Sequence, residues 1–219
     1  MKRIHKPILL MLGLFIGLSM ACSLPFGAQD DFVAKQTEAQ ILASEDGFVP
    51  YMNRGVQIYL PYTYVLGEVE QDIPGLESIL QMLAGTTVNS NVQSLIDSLI
   101  NDVMMWGTNQ NGDLSNRTRI LILRNEKMAK LPLALVSVID PSILGDKLGT
   151  IEQTKLDLAG REVLRLTAIQ GTNAEAVYML KDSDSLWFIA FFTTNNYLLP
   201  NLINFEKSVA TFQVISVEQ

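Results

Sequence analysis

Histidine and cysteine are almost absent from this sequence of 219 residues: His5 is the only histidine and Cys22 the only cysteine. Both lie in the first 22 residues, so the rest of the chain offers no imidazole and no thiol. A Ser-His-Asp triad, a Cys-His pair and a histidine-ligated zinc or iron site all need these groups, and an internal disulfide needs two cysteines. We therefore expect no catalytic residues, no metal site and no cofactor.

A hydrophobic run long enough to span a membrane is also missing at the start of the chain. The run from Ile8 to Met20 is shorter than the roughly 20 apolar residues that a spanning helix requires. It follows three basic residues, which are Lys2, Arg3 and Lys6. A basic segment, a short apolar segment and then small residues indicate a signal peptide over residues 1–21.

The residues before the cysteine specify the kind of signal peptide. Ser19-Met20-Ala21-Cys22 resembles the bacterial lipobox, in which a small residue precedes a cysteine that is acylated and becomes the first mature residue. One position departs from that pattern, because Leu18 lies four residues before the cysteine instead of three. The resemblance implies cleavage between Ala21 and Cys22, lipidation of Cys22, and a place on the extracytoplasmic side of the cell membrane or outer membrane. An ordinary cleaved signal and an uncleaved anchor are the alternatives.

Cleavage would change the charge and leave 198 residues, which suit one domain of ordinary size. It removes three basic residues and no acidic ones, so the net charge moves from −7 to about −10. No cluster of Lys and Arg follows Lys6, whereas nucleic-acid affinity depends on such clusters. We expect the membrane to be a partner through the lipid anchor, and no nucleic acid.

Residues 22–45 contain Pro, Gly and mixed polar residues without a firm hydrophobic period. They predict a lipidated N-terminus followed by a flexible tether, part of which would dock on the domain through Phe32, Ile41 or Leu42. A flexible segment of about 20 residues has a root-mean-square reach of roughly 25 Å. Residues 46–219 are then predicted to form the single domain.

Hydrophobic periodicity predicts one strand and two helices in the first half of this domain. Residues 56–60 alternate between apolar and polar and indicate a strand. Leu76, Ile79, Leu80 and Leu83 recur with helical spacing, and a longer stripe runs from Val92 to Val103 with Gly107 as the expected helix end. We take these two helices, within residues 73–106, as an insertion in the domain.

The second half is rich in strands. Short apolar runs at 120–123, 133–139, 163–169, 176–180 and 186–192 predict strands, the last three joined by short turns into an antiparallel meander. A short helix is expected after Asp140, a closing helix over 195–210, and a final strand over 212–215. Because the run 186–192 is apolar on both faces, both faces of the sheet must be covered. The predicted fold class is α+β, an antiparallel sheet flanked by helices.

Four segments resemble the PsbP-like proteins, a group that includes photosystem extrinsic subunits, the Ran-binding Mog family and bacterial lipoproteins of the LpqN type. They are GVQIYLP (55–61), LDLAGREVLRL (156–166), AVYMLKDSDSLWFIAFFTT (176–194) and NFEKSVATFQV (204–214). The resemblance covers about 80 residues and implies an α/β/α sandwich that serves as a binding or assembly module and not as an enzyme. The four segments contain no motif of a functional site, so the resemblance assigns no functional residue to this chain.

Tyrosines provide the candidate binding patch. Tyr51, Tyr59, Tyr62 and Tyr64 are four of the six tyrosines in the chain, and exposed aromatic rings could stack on a sugar or contact a partner. The alternative is that they line the rim of the core. Met104, Met105 and Trp106 are interpreted as helix-end packing, with an adaptable apolar surface as the alternative.

Acidic residues suggest weaker sites. Glu68, Glu70 and Asp72 could face a hard cation, but we interpret them as a solvated edge that leads into a helix N-terminus, where acids suit the helix dipole. Residues 109–113 fail as a calcium loop, because Gly107 and Thr118 would stand where the loop needs Asp and Glu. Asp182 and Asp184 are expected to form a hairpin turn.

The sequence therefore predicts a membrane-anchored lipoprotein acting as a non-catalytic binding or accessory module, with an unknown envelope protein as partner. The alternative is a carrier that holds a lipid or another apolar ligand between the helices of residues 73–106 and the sheet. A hydrolase using two carboxylates is a third hypothesis, but no pair of acids is spaced to indicate one.

Overall fold

The computed structural model describes residues 27–67, 102–111, 117–126, 129, 150–182 and 184–215, with side chains from residue 33 in the first range and from residue 152 in the range 150–182. Two helices and ten strands lie in these ranges, so the α+β class is confirmed. In chain order they are α1 (Gly27–Glu45), β1 (Phe48–Asn53), β2 (Val56–Pro61), β3 (Tyr64–Leu66), β4 (Val103–Asn109), β5 (Arg119–Asn125), β6 (Thr150–Leu158), β7 (Arg161–Gln170), β8 (Asn173–Asp182), β9 (Ser185–Thr194), α2 (Asn195–Ala210) and β10 (Gln213–Val214).

The strands form two antiparallel sheets. The larger has seven strands in the order β3-β4-β5-β9-β8-β7-β6, and the smaller has three in the order β1-β2-β10. The predicted meander is confirmed as β7, β8 and β9, with Gln170 opposite Asn173 at one turn and Asp182 opposite Ser185 at the next. Gly171 adopts a φ of 62° in the first of these two-residue turns, a conformation that glycine accepts without strain.

One face of the seven-stranded sheet, here called the first face, holds the main core. Tyr178, Ile189 and Phe191 lie on it, and α2 and β2 cover it. Phe191 of the sheet stacks on Phe205 of α2, with ring centroids 4.2 Å apart. The closing helix predicted over 195–210 is confirmed with the same bounds, because its apolar residues repeat on one side and meet this face.

The prediction of a flexible tether is wrong for Gly27–Glu45, which forms helix α1. This helix lies on the domain: Ala43 is fully buried, and the Gln36 side-chain amide donates to the Phe212 carbonyl oxygen at 2.6 Å. Ile41 and Leu42, expected to dock, are exposed. The sequence conceals the helix because a small residue and an amide make the contact, so no apolar stripe marks the buried side.

The predicted end of the second helix is also wrong, because residues 103–109 form strand β4. Met105 and Trp106 therefore belong to a sheet strand paired with β5 and not to a helix end. Gly107 lies inside this strand, where an added Cβ would approach the Val65 carbonyl oxygen to 2.9 Å. The glycine therefore lets β3 pair closely with β4. The apolar stripe that predicted a helix also fits a strand, and pairing with the neighbouring strands decides between the two.

Several predictions fall outside the described residues. They are the signal peptide 1–21, Cys22, the helix around 76–83, most of the helix from Val92, the strand 133–139, the short helix after Asp140, and the acids Glu68, Glu70 and Asp72. Neither helix in the described part of the chain has the length and apolar character needed to cross a membrane.

Candidate functional site

The four tyrosines of the predicted patch do not share one exposed surface. Tyr64 is buried in the main core, whereas Tyr62 is 75% exposed in the turn before β3. Tyr51 lies opposite Ile58 and Tyr59 opposite Pro50, so Tyr51 and Tyr59 project from opposite faces of the small sheet. The single patch expected from the sequence is thus corrected: the Tyr62 ring is exposed, Tyr64 is buried, and Tyr51 and Tyr59 are half-buried on opposite faces of the small sheet.

Tyr51 has a structural role that the sequence did not show. Its hydroxyl donates to the Tyr64 carbonyl oxygen at 2.7 Å and so connects β1 to the start of β3. Burial raises the pKa of both phenols, and for Tyr64 the nearby Tyr51 adds to the increase. Both hydroxyls therefore remain protonated at neutral pH, and that of Tyr51 acts as a hydrogen-bond donor.

The acidic turn residues behave as turn formers. The Asn109 side-chain oxygen accepts from the Asn111 backbone N–H at 2.9 Å, which closes an Asx turn. Asp182 and Asp184 flank the β8–β9 turn. In the parts of the chain that the structure describes, no three Asp, Glu, His or Cys residues lie together as metal ligands would.

A buried polar cluster lies between the sheet and α2. Arg165 on β7 forms an ion pair with Glu206 on α2, and its other terminal nitrogen donates to the Thr154 hydroxyl at 3.2 Å. The side chains of Arg165 and Glu206 are only 13% and 26% exposed. Tyr178 lies beside Arg165 on the same face of the sheet. Burial is the main cause that raises the pKa of Tyr178, and the Glu206 carboxylate adds to it while Arg165 opposes it.

A second group on the first face, here called the ladder, consists of two cations and two aromatic rings: Arg124, Trp187, Phe212 and Arg161. The Arg124 guanidinium lies 5.9 Å from the Trp187 ring, and Trp187 lies 5.2 Å from Phe212. The Arg161 guanidinium lies 5.9 Å from the Phe212 ring and donates to the Val209 carbonyl oxygen at the end of α2. Burial lowers the pKa of Arg161 to about 10, with Asp182 acting in the opposite direction, so the guanidinium stays charged at neutral pH and holds the helix end.

The opposite side of the sheet, the second face, is also apolar. Leu164, Met179 and Leu186 form a buried cluster there, and all three come from strands β7, β8 and β9. Glu175 occupies the same face, opposite Ala168 on β7 and Phe192 on β9. Burial raises the pKa of the Glu175 carboxyl, which is the effect expected of a carboxylate set among apolar neighbours.

Neither the polar cluster nor the ladder was predicted from the sequence. Several of their contacts join distant parts of the chain, such as Arg165 with Glu206, 41 residues apart, and Arg161 with Val209, 48 residues apart, and only the tertiary fold brings these residues together. One signal was present: Arg161 and Arg165 lie four positions apart in the same strand, on the face that also carries the apolar Val163. Buried cations on a core face require partners.

Comparison with known proteins yields the fold only. No family model matches the chain, and no curated protein sequence matches it. Among solved structures, cyanobacterial PsbP (CyanoP) from Synechocystis sp. PCC 6803 matches with a TM-score of 0.43 and 11% identity, covering 77% of this chain and 92% of that chain. The Saccharomyces cerevisiae Ran-binding protein Mog1p gives 0.45 and 10%, covering 77% and 95%.

LpqN from Mycobacterium tuberculosis, described as involved in cell envelope biogenesis, gives a TM-score of 0.41 and 9% identity over 77% of this chain and 90% of that chain. These three are of the PsbP, Mog and LpqN kinds that the sequence resembles. With TM-scores below 0.5, the similarity assigns neither a family nor a function to this chain.

Proposed function

We propose that this protein is a membrane-anchored extracytoplasmic lipoprotein whose domain is a non-catalytic binding or accessory module. The observation that carries the proposal is helix α1. It begins at Gly27, only five residues after Cys22, and is fixed on the domain through Gln36 and Ala43. The chain is therefore helical from residue 27 and docked on the domain at Gln36, and a lipid at Cys22 would tie the domain to the membrane through a short segment.

The chemistry of the described side chains supports the non-catalytic part of the proposal. Arg165 and Glu206 satisfy each other beneath α2, and Arg161 holds the end of that helix. These buried ionic groups stabilise contacts between elements and are packed beneath a helix, not presented in a cleft. After Cys22 the sequence also contains no histidine or cysteine to act as a base or a nucleophile.

Intact-mass analysis of the membrane-extracted protein tests this proposal. We expect the mass of residues 22–219 plus a diacylglyceryl group, with or without a further acyl chain. The matched variant Cys22→Ala should lack the lipid and should not be retained by the membrane, because one or more acyl chains supply the membrane affinity.

An unmodified mass for the parent protein, starting at residue 22 or later, would overturn the lipoprotein proposal. Equal membrane retention of the parent and of Cys22→Ala would do the same, because retention would then not depend on the lipid. Residue 1 at the start of the extracted protein would show that the signal segment is uncleaved.

The second face of the sheet supports a second candidate function, a carrier for a lipid or another apolar ligand. The buried cluster of Leu164, Met179 and Leu186 is bordered by the half-buried Phe188 and Val177. Apolar surface of this kind is what a pocket for an apolar ligand requires. Glu175 on the same face supplies a carboxyl group among apolar neighbours, which would fit the polar end of an amphipathic ligand.

Native mass spectrometry separates the carrier from the plain module. A carrier should leave the membrane with a non-covalent lipid in stoichiometric amount, which organic extraction removes while the covalent anchor remains. The same added mass should persist in Cys22→Ala, since the ligand site does not include the anchor. A native mass equal to the covalent mass in both proteins would exclude the carrier.

A further inference from the structure

This inference rests on the proposed lipid anchor and concerns how the domain is held at the membrane. Helix α1 runs antiparallel to α2, as its contacts show. Asp46, directly after α1, forms an ion pair with Lys207 of α2, and Gln36 contacts Phe212 beyond the end of α2. Lys35, the residue before Gln36, packs its aliphatic part against Gly160. A Cβ added at Gly160 would lie 3.1 Å from the Lys35 Cδ. Gly160 is in the β6–β7 turn.

Among the side chains of α1 that the structure describes, Lys35 and Gln36 make the contacts nearest to the start of the helix. The side chains of Val33, Ala34 and Lys35 are all exposed, whereas Gln36 is buried. The helix continues towards the N-terminus as far as Gly27. Its first eight residues, 27–34, are about 12 Å long at 1.5 Å per residue. The start of α1 thus leads away from the β6–β7 turn as a helical spacer.

The link from the spacer to the anchor is short. Cys22 and Gly27 are separated by four residues, so even a fully extended chain between them covers no more than about 18 Å. An acylated Cys22 would therefore lie within about 30 Å of the β6–β7 turn. The tether predicted from the sequence would have extended over residues 22–45, whereas helix α1 leaves only the residues before Gly27 as a link to the anchor.

Three turns lie at this end of the molecule. They are the β6–β7 turn at Gly160, the β8–β9 turn at Asp184, and the β1–β2 turn, where Arg54 donates to the Val103 carbonyl oxygen at the start of β4. We call this the proximal end. The distal end carries the β7–β8 turn and the start of α2, where the Asn195 N–H donates to the Thr172 carbonyl oxygen.

We infer that the anchored domain holds its proximal end towards the lipid surface and its distal end away from it. Met52 and Val214 are apolar and exposed at the proximal end, and Arg54 is exposed there too. The exposed acids Asp157, Glu162 and Asp184 lie in the same turns, so this end suits a headgroup layer of low negative charge. Apolar groups and the long stem of an arginine can both enter the interface while the charge stays in water. Partners in the envelope would then meet the distal end.

Two single-cysteine variants at the ends of strand β8 test the orientation. Asp184→Cys and Thr172→Cys place a thiol in exposed turns, separated by the ten residues of β8, or about 30 Å. Acylation consumes the Cys22 thiol, so a maleimide dye reacts only with the new one. In vesicles that carry a quencher on the lipid headgroups, the dye at 184 should be quenched severalfold more than the dye at 172.

Two controls identify the cause of the difference. Insertion of about 20 Gly and Ser residues between residues 26 and 27, with a reach of roughly 25 Å, should largely remove the difference in quenching between the dyes at 184 and 172. Gln36→Ala, which removes the hydrogen bond from the Gln36 side chain to the Phe212 carbonyl oxygen, should reduce the same difference in quenching. Equal quenching at both positions, stronger quenching at 172, or no response to the linker would overturn the orientation even when the mass shows an acylated Cys22. A mass without lipid would instead overturn the proposed function.

Discussion

Phe212→Ala is expected to lower the free energy of unfolding by about 4 kcal/mol, within the range for removing a buried aromatic ring. Phe212 is fully buried just after α2. Its ring lies 5.2 Å from Trp187 and 5.9 Å from the Arg161 guanidinium. The substitution leaves a cavity in the core and takes away the aromatic surface beneath a buried cation, so the loss should lie towards the upper part of that range.

Urea unfolding followed by circular dichroism measures this effect without relying on Trp187, whose fluorescence the substitution would itself alter. Tyr197→Ala is the matched control, because Tyr197 is an aromatic residue on the exposed side of α2 and its loss should change the free energy by less than about 0.5 kcal/mol. Equal losses for the two variants would mean that the ladder does not hold α2 and β10 on the large sheet.

The strands that were predictable are those that repeat a local pattern. Residues 163–169, 176–180 and 186–192 alternate or are continuously apolar between turn residues, and each forms a strand of the meander. The closing helix was predictable because Leu198, Phe205 and Val209 all face the core from one side. In these elements local preference and tertiary packing agree, so the sequence alone is sufficient.

Elements that depend on distant partners were not predictable. Residues 103–106 fit a helical stripe, and only their pairing with β5 makes them a strand. Helix α1 is held by one buried amide and one alanine, whose partners lie far along the chain. The tyrosine group failed for a related reason: alternation along β2 cannot reveal that Tyr51 is directed by its pairing with Ile58.

Arg165→Met is expected to destabilise the protein by about 2 kcal/mol. Removing one partner of a fully buried ion pair costs about 3–5 kcal/mol, and the partial exposure of Arg165 and Glu206 reduces that figure. The loss should arise because the Glu206 carboxylate is left beneath α2 without its cation, next to the buried Tyr178. The methionine keeps most of the aliphatic contact of the arginine stem, so packing changes little.

The double variant Arg165→Met with Glu206→Leu separates an uncompensated charge from lost packing. If the charge causes the loss, the double variant should be more stable than Arg165→Met alone, because two apolar side chains replace both charges. Lys155→Met is the control, since its pair with Glu162 is 3.9 Å long with both side chains about 60% exposed, and such pairs contribute less than about 1 kcal/mol. A double variant less stable than Arg165→Met would show that the uncompensated carboxylate is not the cause of the loss, because neither variant retains the ion pair.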